Sequence, residues 1–132
     1  MADKITLTVT RGSLEGNEYV LDPNSRFLIG RGEDCDIQLP REVGPRDISR
    51  QHCLLETTSQ RVYIRDLGSL HGTYVNGKKI GQRPAGQPAE PADLNRGRSH
   101  ELKDSDEILV GNTVLRVGIS SSADVLQPMH SW

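Results

Sequence analysis

Ile5, Leu7 and Val9 alternate with Thr6, Thr8 and Thr10, and this two-residue period returns in short pieces along the chain. Successive side chains of an extended strand point to opposite faces, so the alternation predicts strands with one buried side. Further pieces fall at 18–21, 26–29, 52–57, 61–65, 73–75, 79–80, 107–110 and 113–117, with a brief apolar pair at Ile37 and Leu39 that stops at Pro40. Turn residues separate them: Asp22-Pro23-Asn24-Ser25, Asn76-Gly77 and Gly111-Asn112. Asn76-Gly77 is the strongest of these, because both central residues of a type I′ hairpin turn need positive φ and Asn and Gly tolerate it. No segment sustains a helical period. With 132 residues, the chain suits one domain with a real core. The pattern predicts an all-β sandwich.

Two stretches lack core character. Residues 81–98 are rich in Gly, Pro, Gln, Ala and Arg with almost no apolar content, which predicts a flexible loop inserted between strands. Residues 118–132 are Ser-rich and end in Met129-His130-Ser131-Trp132, which predicts a flexible C-terminal tail. The domain is therefore expected over 1–117.

Composition excludes several classes. A net charge of −2 argues against nucleic-acid binding by bulk electrostatics, since such domains carry a basic excess. No apolar run approaches the ~18 residues of a membrane span, and Met1-Ala2-Asp3-Lys4 does not begin a secretory signal. The two cysteines, Cys35 and Cys53, read as reduced thiols of a cytoplasmic protein. They fit no zinc spacing, and His52 and Cys53 would point to opposite faces of a strand, so no metal site is expected.

Catalysis finds little support. Asp47, Ser49 and His52 carry the letters of a triad, but sequence proximity does not supply relay geometry, and there is no Gly-x-Ser-x-Gly elbow. Gly30-Arg31-Gly32 lacks the further glycine and following helix of a dinucleotide loop. Asp34 and Asp36 read as a solvated turn. Anion binding does better. Arg31 ends a strand, Ser49 and Arg50 close the long loop that starts at Pro40, and Ser69 and His71 lie in a third loop. Three such loops can converge at one end of a sandwich, where binding residues commonly sit on a rigid scaffold.

Four blocks then stand in order: Phe27-Leu28-Ile29-Gly30-Arg31; Asp47-Ile48-Ser49-Arg50-Gln51-His52; Asp66-Leu67-Gly68-Ser69-Leu70-His71-Gly72-Thr73-Tyr74-Val75-Asn76-Gly77; and Leu102-Lys103-Asp104-Ser105-Asp106-Glu107-Ile108-Leu109-Val110-Gly111. In sequence and spacing they resemble the signature blocks of forkhead-associated (FHA) domains, and the similarity runs from about Ile5 to Val117. The resemblance implies two twisted antiparallel sheets of about eleven strands, with a phosphothreonine peptide held by loops at one end. It implies phosphopeptide contacts from Arg31, Ser49, Arg50, Ser69, Leu70 and His71. Gly30, His52, Gly72 and Asn76 would support the site. His52 would tie the loops together rather than act in catalysis.

The resemblance further implies a non-catalytic, monomeric signalling module without cofactors. Its partner would be a phosphothreonine protein, a Ser/Thr kinase or a kinase substrate among them. The alternative on the same sandwich is a phosphate-independent interaction module. One departure stands out: His71 occupies the position where the family commonly has Asn. Imidazole also donates to a carbonyl, but with a different reach.

Overall fold

The computed structural model describes residues 4–40, 48–83 and 98–120. They form eleven strands in two sheets and no helix. The strands are β1 (Lys4–Arg11), β2 (Glu18–Leu21), β3 (Arg26–Gly30), β4 (Ile37–Gln38), β5 (Cys53–Thr57), β6 (Val62–Asp66), β7 (Thr73–Val75), β8 (Lys78–Gly81), β9 (His100–Leu102), β10 (Glu107–Val110) and β11 (Thr113–Ser120). One sheet has the order β2-β1-β11-β10-β7-β8 and the other β4-β3-β5-β6-β9.

The alternating residues face inward as expected. Ile5, Leu7 and Val9 of β1 meet Ile108, Val110, Leu115 and Val117 from the same sheet, and Ile29, Leu55, Val62, Ile64 and Leu102 from the other. Replacing one of these buried aliphatic chains by Ala would cost about 2–5 kcal/mol, since the lost transfer energy and the cavity add. Asn76 and Gly77 have φ of 51° and 81°, the double positive φ of the expected turn. The turn is also tied to β10: Asn76 donates from Nδ2 to Asp106 (2.9 Å) and accepts the Glu107 amide (2.9 Å).

Four features depart from the expectation. β4 pairs parallel to β3, with Ile37 opposite Ile29, so the second sheet is mixed rather than purely antiparallel. Asp36 Oδ2 accepts the Leu28 amide at 2.8 Å and holds the 31–36 loop back along β3. Asp36 is thus a structural ligand of the backbone, not only a solvated turn residue. β9 is a strand that no alternation announced, because three residues are too few to show a period. β11 runs on through Ser120 rather than ending at Val117. The segment expected as a loop from 81 is ordered at its root, with Gly81 in β8 and Gln82 and Arg83 hydrogen-bonded to a neighbouring loop. The rest of that segment (84–97) and the tail from 121, with Trp132, lie outside the described residues, as does Asp47.

Candidate functional site

The three loops that carried Arg31, Ser49-Arg50 and Ser69-Leu70-His71 in the sequence meet at one end of the sandwich. The first contact is backbone to backbone. Arg31 donates its amide to the Ser49 carbonyl (3.1 Å) and Gly32 donates to the Arg50 carbonyl (3.0 Å). This close approach explains the glycine before Arg31: a Cβ at Gly30 would run into the Arg50 carbonyl group. The half-buried Arg31 side chain follows the same path, and its Nε donates to the Ile48 carbonyl at 2.9 Å. That bond aims the guanidinium along the 48–50 segment. Among the described residues, neither the terminal nitrogens of Arg31 nor the exposed guanidinium of Arg50 has a partner.

Ser49 joins the second and third loops. Its Oγ accepts the Leu70 amide at 3.0 Å. A hydroxyl that accepts in this way still has its own proton to donate, and no described residue takes it.

His52 is the buried tie between the same loops. The Ser49 amide can only donate, so His52 Nδ1 accepts it (3.2 Å) and the ring proton sits on Nε2, which donates to the Gly72 carbonyl (2.9 Å). Burial pushes the imidazole below its ordinary 6.5, and the nearby His71 pushes the same way. The Gly72 bond and the Asp66 carboxylate oppose the shift without cancelling it. A neutral ring in a single tautomer therefore joins the second loop to the third.

Ser69 departs from its expected place. It is 0% exposed, and its hydroxyl is donated to Asp66 Oδ1 at 2.5 Å. The side chain cannot face a ligand; it builds the loop instead. Asp66 is the centre of that loop. Oδ1 also accepts the Thr73 hydroxyl (2.6 Å), and Oδ2 accepts the amides of Gly68 (2.9 Å) and Ser69 (3.1 Å). An Asp whose side chain caps amides two and three residues on is an Asx-type turn, and Asp66-Leu67-Gly68-Ser69 carries its residue signal. Gly72 takes φ of 93°, a conformation that favours glycine, and exposes its carbonyl to His52. Leu70 is 48% exposed and His71 half-exposed, so these two side chains form the outer rim. Asn76 supports the β7–β8 turn at the other end of β7 and does not reach these loops.

The cysteines flank the site without entering its chemistry. Cys35 donates its thiol to the Arg50 carbonyl (3.0 Å), and burial pushes that thiol up to about 11, so it stays protonated. Cys53 is in the core and its thiol is raised further by burial. Gln51 reaches Asp34 at 2.5 Å and clips the 31–36 loop to the second loop. Among the described residues there is no cluster of His, Cys, Asp and Glu that could hold a metal ion, and no helix long and apolar enough to cross a membrane.

The chain matches known proteins on this same frame. A family model of the FHA domain matches residues 27–97, more than half of the chain. An uncharacterised protein of Schizosaccharomyces pombe is 32% identical over 102 residues, which is 74% of this chain and 33% of that protein. The FHA domain-containing protein FhaB of Mycolicibacterium smegmatis is 35% identical over 74 residues, 56% of this chain and 44% of FhaB. The chain thus spans less than half the length of these relatives. Among solved structures, the FHA domain of the CT664 protein from Chlamydia trachomatis aligns with a TM-score of 0.67 at 25% identity, over 87% of this chain and 96% of that one. An FHA domain solved in a study of phosphothreonine-dependent interactions aligns at 0.65 and 28% identity, over 87% and 95%. The two-sheet fold, the order of the sequence blocks and these likenesses agree: the chain belongs to the FHA domain family.

Proposed function

We propose that this chain is a phosphothreonine-dependent protein-interaction module, with the phosphate received between Arg31, Ser49 and Arg50. The observation that carries the reading is the backbone tie of Arg31 and Gly32 to Ser49 and Arg50, which brings these residues onto adjoining loops while no described residue pairs with the terminal nitrogens of Arg31, with the Arg50 guanidinium or with the Ser49 hydroxyl proton. A phosphothreonine brings about −1.5 to −2 charges and three acceptor oxygens. Arg31 offers a planar fork, Ser49 a single directed donor and Arg50 further charge. Charge-assisted bonds of about 1.5–3 kcal/mol each, offset by ordering and desolvation, support a Kd in the micromolar range. His71 and Leu70 would meet the residues that flank the phosphothreonine. A solved FHA domain, that of FhaA, is complexed with the intracellular domain of Rv3910, and EmbR of Mycobacterium tuberculosis, which shares the fold, is solved in complex with a low-affinity phosphopeptide.

Within this reading the chain acts without catalysis, as a cytoplasmic monomer, and binds a Ser/Thr kinase or a kinase substrate rather than nucleic acid. Two cysteines that remain free thiols and the absence of a basic excess support that placement. The test is fluorescence anisotropy of a degenerate phosphothreonine peptide library beside its threonine and phosphoserine counterparts. Saturable binding to phosphothreonine alone is the expected result. Equal affinity for the unphosphorylated peptide overturns it in favour of a phosphate-independent module on the same sandwich.

A further inference from the structure

Gln82 and Arg83 stand just past β8, outside the three loops that build the site, yet they grip one of those loops at three successive carbonyls. Arg83 donates its amide to the Ser69 carbonyl (2.7 Å) and its Nε to the Gly68 carbonyl (3.2 Å). Gln82 Nε2 donates to the Leu70 carbonyl (2.8 Å). Lys79 sets the direction of the Gln82 amide: its ammonium can only donate, and it meets Gln82 Oε1 at 2.6 Å, leaving the NH2 group for Leu70. The amides of the same three residues are taken as well, those of Gly68 and Ser69 by Asp66 and that of Leu70 by Ser49. Every backbone polar group of 68–70 therefore has a partner inside the domain. The amides of this loop have no donor left for a ligand, and the exposed Leu70 side chain and half-exposed His71 are its outward groups.

We propose that Gln82 and Arg83 are positioning residues of the peptide site: by holding the Gly68, Ser69 and Leu70 carbonyls they set where Leu70 and His71 meet the residues flanking the phosphothreonine. This rests on the phosphothreonine reading. It separates two tasks within one site. The phosphate is met by Arg31, Ser49 and Arg50, which Gln82 and Arg83 do not touch, while the peptide flanks are met by a loop whose position depends on them.

The test uses Gln82→Glu and Arg83→Met. The first keeps the size and the Lys79 partner but replaces the donor to Leu70 by an acceptor; the second keeps the backbone amide and removes Nε. Each protein is titrated by NMR with a phosphothreonine peptide and with N-acetyl phosphothreonine N-methylamide, which reaches the phosphate pocket only; spectral dispersion reports folding. Each variant is expected to bind the peptide about fivefold more weakly, the effect of one lost hydrogen bond, with the capped amino acid unchanged within about twofold. A parallel loss for both ligands overturns the proposal, because it makes the pair simple stabilisers of the loop. Unchanged peptide affinity in both variants overturns it too. Wild-type protein that binds neither ligand overturns the phosphothreonine reading and this assignment together, whereas a wild type that binds beside unaltered variants removes this assignment alone.

Discussion

His52 Nε2 lies 2.9 Å from the Gly72 carbonyl, across twenty residues of chain, while its Nδ1 takes the Ser49 amide. The ring can make both bonds only when neutral, since a proton on Nδ1 would confront the N–H of Ser49. Burial holds the folded value below the ordinary 6.5. Above about pH 6.5 the ring is neutral in both the folded and unfolded chain, and its contribution is fully present. Below it the unfolded chain takes up a proton that the native ring resists, so stability falls, by at most about 1.4 kcal/mol per pH unit for one proton. Urea unfolding at pH 7.5, 6.5 and 5.5 is expected to show this loss, and His52→Gln, less stable at pH 7.5, is expected to show a shallower one. Equal pH slopes in the two proteins would remove His52 as the titrating group.

Arg31→Ala should weaken phosphothreonine-peptide binding at least tens-fold, because it removes both charge and fork. It also removes the bond to the Ile48 carbonyl, so a fall of about 1 kcal/mol in stability is expected beside it. Ser49→Ala should cost less affinity and also free the Leu70 amide. Calorimetric titration and urea unfolding of both variants separate the two effects; full binding by folded Arg31→Ala would move the phosphate elsewhere.

Ser69→Ala is expected to keep phosphopeptide affinity within about twofold while losing about 1 kcal/mol of stability, as befits a buried hydroxyl held by Asp66. Asp66→Ala strands four donors at once and should cost about 3 kcal/mol or more. Peptide titration beside thermal unfolding decides. A tenfold loss of affinity in a stable Ser69→Ala protein would return that hydroxyl to the ligand.

Gly30→Ala places a methyl against the Arg50 carbonyl carbon, 2.8 Å away. Backbone cannot move aside as a flexible side chain can, so a cost of about 1–3 kcal/mol is expected together with displacement of the 48–50 segment and loss of binding. Gly77→Ala, where a Cβ meets open space but φ is 81°, should destabilise the turn and spare the site. Melting curves and peptide titration of the two variants check the contrast.

Much of the fold was legible from residue pattern because its determinants are local. The alternation of Ile5, Leu7 and Val9 with threonine declares a buried face whatever the partner strand. Asn76-Gly77 states its own φ signs. The blocks around Arg31, Ser49 and His71 announced three loops, and hydrogen bonds tie these to one another in the fold. Tertiary structure decided the rest, and the reason is that polar groups are satisfied by whatever the fold brings near. Ser69 and His71 look alike as loop polar residues, yet Asp66 draws the first inward and leaves the second at the rim. Gln82 and Arg83 sit at the start of a stretch with no apolar period, so no pattern marks them, and only the antiparallel return of β8 beside β7 carries them to the carbonyls of 68–70. The loop that leads to the parallel β4 is held by one carboxylate, Asp36, finding the Leu28 amide. Sequence period determines which side of a strand is buried; only the assembled sheets determine which donor meets which acceptor.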